Sequence, residues 1–177
     1  EKLIETLLSL SAIETQMVEF KIGLTYFENG ELNNHEIEKI WQTLVAMANT
    51  NCRKQSDGYV IVGVANNNVS CENWRNVYKE IPLTYGSHKV VGITKEAMTH
   101  FFDEDHYEQR VKELIKNSLM SESLKEYVLS NYRLVNFHDK TLLLLPATKQ
   151  DTSSYYDNKF YVREGTSTVH KSERDIK

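Results

Sequence analysis

Gly58-Tyr59-Val60-Ile61-Val62-Gly63-Val64 is the stretch on which the fold turns. Between its glycines it carries only apolar side chains apart from the Tyr59 hydroxyl. Branched residues in a continuous run, without alternation, suit a strand covered on both faces and therefore central in its sheet. Asn66-Asn67-Asn68 follows as a turn. On the N-terminal side, Ile37, Ile40, Trp41, Leu44 and Ala48 repeat at helical spacing, and Asn33 with Glu36 ahead of them resembles a capping box. Further upstream, Val18, Phe20 and Ile22 alternate with Glu19 and Lys21 as a strand, and residues 2–10 place Leu3, Ile4, Leu7, Leu8 and Leu10 on one helical side.

On the C-terminal side, residues 70–86 are polar and predict no regular element, and residues 89–93 predict a short strand. Tyr107, Val111, Leu114 and Ile115 mark a long helix, with Asp103, Glu104 and Asp105 where negative charge suits the helix dipole. A further helix is expected over 121–132. Residues 134–137 and 141–145 flank His138-Asp139-Lys140 as a hairpin, and a last strand over 159–163 closes at Glu164-Gly165. This order predicts one α/β (α+β) domain over 1–177, with a mixed, largely antiparallel sheet flanked by helices.

Composition narrows the class. The chain has 177 residues, 40% hydrophobic and 26% charged, enough for a packed core and unlike a disordered segment. No apolar run reaches the about 18 residues that a membrane span needs, so no membrane association is expected. The chain opens on Glu1 and stops at Lys177, which suggests a piece of a longer protein. Cys52 and Cys71 are too few for a disulfide framework or a zinc site, and read as reduced thiols of a cytoplasmic protein. The net charge of −4 means that any phosphate-binding face must be a local patch on an acidic body. The six histidines show no ligand spacing, and no GxxxxGK[ST] loop is present, so no ATP site is evident.

Three segments carry a family resemblance: Glu14-Thr15-Gln16-Met17-Val18-Glu19-Phe20-Lys21; Ala46-Met47-Ala48-Asn49-Thr50 leading into the Gly58–Val64 run; and Phe160-Tyr161-Val162-Arg163-Glu164-Gly165-Thr166-Ser167-Thr168. In this order they resemble the Schlafen AlbA_2 family. The resemblance implies an α/β core and binding of nucleic acid, RNA more than DNA. In some members it implies metal-dependent cleavage of transfer or ribosomal RNA. It carries two glutamates onto Glu14 and Glu19 as catalytic, metal-holding residues for Mg²⁺ or Mn²⁺. The family's third acid falls at Ala65-Asn66, where this chain has none. Ser56-Asp57-Gly58 replaces the paired glycines of relatives, with residues 52–55 as an insertion.

The chemistry fits these residue types. Mg²⁺ and Mn²⁺ take hard oxygen ligands, and such an ion stabilises phosphate charge and activates water. Glu14 and Glu19 are five apart, so they converge only if the chain bends between them. Lys21 shares the face of Glu19 and would serve as a point cation; the same pair also suits the solvated face of an edge strand. Asn66 can ligate without charge, or simply form a turn. Arg163 beside Thr166, Ser167 and Thr168 suits a phosphate-binding loop, or an ion pair with Glu14 or Glu164. Arg53 and Lys54 form a small basic spot that is either a contact or solvated surface. Asn49 caps a helix or bonds a ligand, and Tyr155, Tyr156, Phe160 and Tyr161 stack bases or pack strands. The function expected first is nucleic-acid binding, with endoribonuclease activity in view. The alternative is a catalytically inactive binding or homodimerisation module of a larger defence or regulatory protein.

Overall fold

The computed structural model of the chain describes residues 1–10, 16–50 and 57–172. Glu14, Arg53, Lys54 and the last five residues lie outside this set.

The Gly58 run forms β2 (Gly58–Val62), and it is central: the main sheet has the order β1-β2-β6-β5. Its neighbour β1 (Val18–Lys21) runs parallel to it, with Lys21 opposite Val62. Parallel neighbours need a crossover, and α1 (Lys2–Leu10) precedes β1 while α2 (Asn34–Ala48) makes the crossing. On its other side β2 pairs antiparallel with β6 (Lys140–Ala147), which forms a hairpin with β5 (Arg133–Phe137). The mixed sheet with an antiparallel C-terminal half is therefore as read.

Two apolar layers cover this sheet. Val60, Val62, Leu143 and Leu145 face α2, α5 (Glu104–Lys116) and α6 (Glu122–Asn131). Val18, Phe20, Ile61 and Leu144 face α1. Val60, Ile61 and Val62 are all fully buried, which accounts for the missing alternation in that run.

Residues 70–86 differ from expectation. They hold most of α3 (Asn68–Tyr78) and β3 (Leu83–Tyr85), which pairs with β4 (His88–Val90). Only Cys71 and Trp74 of α3 are buried, so its apolar stripe is too thin to register as a period. The short α4 (Thr94–His100) was likewise not foreseen. The segment after Glu164 is corrected too: Ser167 and Thr168 lie in a strand, β8 (Ser167–Lys171), paired with β7 (Phe160–Glu164), and only Gly165 and Thr166 form the turn.

Gly63 ends β2 with φ +114°, a conformation that side-chain-bearing residues avoid. A Cβ there would lie 2.7 Å from Leu142 Cδ2 and 3.0 Å from Gly92 Cα. Its carbonyl accepts from Val91 and Gly92 N–H, and its N–H donates to Lys21 O at 2.7 Å. The chain is thereby turned out of the sheet at the level of Lys21, toward Asn66.

Candidate nucleic-acid interface

Two helices begin at the carboxyl ends of the parallel strands β1 and β2. That end of an open α/β sheet is where ligands usually bind, because helix N-termini and loops converge there. Here they enclose a cleft of about 320 Å³, lined by Lys21, Thr25, Tyr26, Asn33, Glu36 and Asn66, with Asn67, Ser70 and Asn73 of the α3 end.

Lys21 is 8% exposed, and its Nζ donates to Glu36 Oε2 at 2.7 Å. Glu36 was expected to close a capping box with Asn33. Half of that box forms, as Glu36 N–H donates to Asn33 Oδ1 at 3.3 Å. The Asn33 N–H is taken by Leu24 O at 2.9 Å, and the Glu36 carboxylate turns to Lys21. Burial pushes the Glu36 carboxyl up, but the Lys21 hydrogen bond and charge, with Lys39 and His35, outweigh it and hold the group below the ordinary glutamate value.

Asn66 stands at the N-terminal side of α3. Asn67 caps that helix by accepting from Ser70 N–H at 2.8 Å, and Ser70 Oγ donates to Asn66 Oδ1 at 3.2 Å. The turn expected over Asn66, Asn67 and Asn68 is thus only a bend at Asn66 and Asn67, since Asn68 already opens α3, and that bend brings Asn66 to the cleft with Lys21. Asn67, Ser70, Asn73 and Glu36 were not singled out as site residues. The Asn67-to-Ser70 spacing is a helix-start signal that could have revealed α3 and its place.

Glu19 lies on the same face of β1 as Lys21 but does not line the cleft. Its Oε2 is 3.2 Å from Arg163 Nη2, with side chains 13% and 1% exposed. Arg163 Nε donates to Gln16 O at 3.0 Å and Nη1 to Thr168 Oγ1 at 3.1 Å. Thr168 Oγ1 lies 3.0 Å from Thr43 Oγ1 of α2. So Arg163 faces inward and ties β1, β7, β8 and α2 together, rather than heading an open phosphate loop. Thr166 and Ser167 are exposed at the hairpin tip and Thr168 is half-buried.

Asn49 is the C-cap of α2, and its side chain also donates to Ser154 O and Tyr161 O at 2.9 Å each and accepts from Ser154 N–H at 2.8 Å. It fastens the β7 region to the helix. Tyr156 and Tyr161 are buried, while Tyr155 is 41% exposed. Among the described residues, the group close enough to hold an ion is Glu1, Glu5 and His138, none of which lines the cleft. No described helix is long and apolar enough to cross a membrane.

No curated protein matches the chain. Among solved structures, it is similar to the crystal structure of the DIP2311 protein from Corynebacterium diphtheriae, at 15% identity and a TM-score of 0.48. That likeness covers 88% of this chain and 22% of the other, so the chain spans less than a quarter of that protein. The Schlafen AlbA_2 profile matches residues 14–172, nearly the whole length, and the chain belongs to the Schlafen AlbA_2 family.

Proposed function

We propose that this domain binds nucleic acid, RNA in preference to DNA, in the cleft at the carboxyl ends of β1 and β2. The observation that carries the reading is the buried Lys21, paired with Glu36, placed among four asparagines, Asn33, Asn66, Asn67 and Asn73, with Glu28 also on the wall. Carboxamides donate and accept, which suits base edges and ribose hydroxyls, while a lysine suits a phosphate oxygen. The cleft lies at the small end of the range for ligand pockets, the size of one nucleotide unit. Family membership supports the class of ligand. The acidic net charge confines contact to such local features.

Metal-dependent cleavage is the stronger form of this reading. It would use Mg²⁺ or Mn²⁺ held by Glu14 and Glu19, which would stabilise charge on the phosphate. The described residues fit that ion poorly. Glu19 is already engaged by the Arg163 guanidinium, and Asn66 brings no charge to the third position. Binding without efficient cleavage is therefore the function the site supports best.

The test is fluorescence anisotropy of labelled transfer RNA with the whole chain, at rising salt, for the wild type, Lys21→Met and Asn73→Ala. The expected result is binding that weakens with salt and falls several-fold in both variants. No binding by the wild type, or binding untouched by both substitutions, defeats the assignment. Incubation of the same RNA with Mn²⁺ then separates the two forms: cleavage by the wild type that Glu14→Gln abolishes would establish the enzyme.

A further inference from the structure

The wall of the cleft that follows Lys21 is not held by its own strand. Ile22 and Gly23 leave β1, and the next two residues are fastened by Glu96, which reaches across from α4. Its Oε2 accepts from Leu24 N–H at 3.0 Å, Thr25 N–H at 3.0 Å and the Thr25 hydroxyl at 2.6 Å. Leu24 N–H also lies 3.2 Å from Oε1. Glu96 is 2% exposed, between the fully buried Ile93 and Ala97. Gly23 packs so closely that a Cβ on it would lie 2.7 Å from Glu96 Oε2.

An acid at an apolar core position is costly, and each of its hydrogen bonds here is spent on one turn. That turn supplies Gly23, Thr25 and Tyr26 to the cleft. The other groups around the carboxyl are hydroxyls: the fully buried Tyr107 of α5 and Tyr78 of α3, whose Oη atoms have no hydrogen-bond partner among the described residues. Glu28 adds its charge near Tyr78. His100, one helical turn beyond Glu96, lies 3.0 Å through Nε2 from Phe27 O and packs against Tyr78. No lysine or arginine among the described residues pairs with Glu96.

We propose that Glu96 is a positioning residue for the nucleic-acid cleft, its buried carboxylate clamping Leu24 and Thr25 and so fixing the wall that faces Lys21 and Asn66. The clamp is also responsive. Burial pushes the Glu96 carboxyl up to about 7, against the pull of the Thr25 and Leu24 hydrogen bonds. Ionised, it accepts every donor of the turn. Protonated, it keeps one acceptor oxygen and turns the other into a donor, for which the Thr25 hydroxyl at 2.6 Å is the acceptor in reach, so its hold on the donors of the turn weakens. Cleft geometry, and affinity with it, follows that proton near neutral pH.

The inference rests on the cleft being the nucleic-acid site, and the test keeps the two apart. Isotope-labelled whole chain is titrated from pH 5.5 to 8.5 by nuclear magnetic resonance. The expected result is that Leu24 and Thr25 backbone amides and the Asn66 side-chain amide shift together, with a midpoint near 7 that is absent in Glu96→Gln. Thr25→Val removes one donor that favours the ionised form, so it should move the midpoint upward. Affinity for labelled transfer RNA should change several-fold across the same midpoint in the wild type and stay flat in Glu96→Gln. Movement of Leu24 and Thr25 without Asn66, or an unmoved midpoint in Thr25→Val, overturns the proposal. Joint movement with no RNA bound at any pH upholds the clamp and defeats the function assigned to the cleft.

Discussion

Replacing Arg163 by Met should destabilise the domain rather than merely weaken a ligand. The guanidinium is 1% exposed and sits 3.2 Å from a Glu19 carboxylate that is itself 13% exposed. Met keeps the length of the stem but removes the charge and the donors. Glu19 then loses its cation in a poorly solvated place, and Gln16 O and Thr168 Oγ1 lose their donors. Removing one partner of a buried ion pair costs about 3–5 kcal/mol. In a chain of this length each kcal/mol moves the midpoint by about 2–4 °C, so the melting temperature should fall by about 10 °C. Thermal unfolding followed by circular dichroism reads this directly. The double variant Glu19→Gln/Arg163→Met should recover part of the loss, because neither charge is then left alone. An exposed arginine reaching for phosphate behaves otherwise: its removal changes stability by less than about 0.5 kcal/mol while RNA affinity falls. A melting temperature within 2 °C of the wild type (about the effect of that surface change), with binding lost, refutes the inward-facing role.

Gly63→Ala should cost at least about 1–3 kcal/mol, since φ is +114° and the added methyl would meet Gly92 Cα at 3.0 Å; a urea midpoint equal to the wild type would contradict it. Glu96 should give stability an unusual pH dependence. Its folded value of about 7 lies above the ordinary 4.5, so its contribution is complete below 4.5 and is lost as pH rises through 7, a change of about 3 kcal/mol. Urea unfolding at pH 5 and pH 8 should show most of that loss in the wild type and not in Glu96→Gln, and equal slopes in the two would remove it.

The sheet was legible because its signals are periodic and doubly reinforced. Val60 to Val62 are apolar on successive positions because both faces are covered, and α2 carries a full stripe from Ile37 to Ala48. The resemblance then added an order of segments that the structure and the family match uphold. What escaped was short or thinly buried. α3 buries Trp74 and Cys71, with Val77 and Tyr78 only partly covered, and α4 is seven residues of which Glu96 and Ala97 are buried. A glutamate is not a core letter, so the pattern there looks like loop. The site was half legible. Lys21 and Asn66 were singled out and do share a cleft, but Glu36 and Asn67 were hidden as helix caps. The Arg163 loop misled because Thr-Ser-Thr after a glycine reads as a turn, while strand pairing with β7 uses the same residues.

The alternation of β1 sets the proposed binding and the proposed cleavage against each other. A strand must place Glu19 and Lys21 on one face, and that face is largely shielded from water, with Lys21 8% and the Glu19 side chain 13% exposed. Charges there persist only when paired, and each has found a partner: Arg163 for Glu19, Glu36 for Lys21. A divalent ion at Glu19 would have to share the carboxylate with a guanidinium held by Gln16 and Thr168, which repels the ion and does not move easily. On the proposed reading, an acid restored at Asn66 would still leave Glu19 paired with Arg163. A neutral Asn66, bonded to Ser70 and set beside Lys21, suits the proposed cleft that recognises by hydrogen bonds, where Lys21 would meet a phosphate only by sharing its ammonium with Glu36.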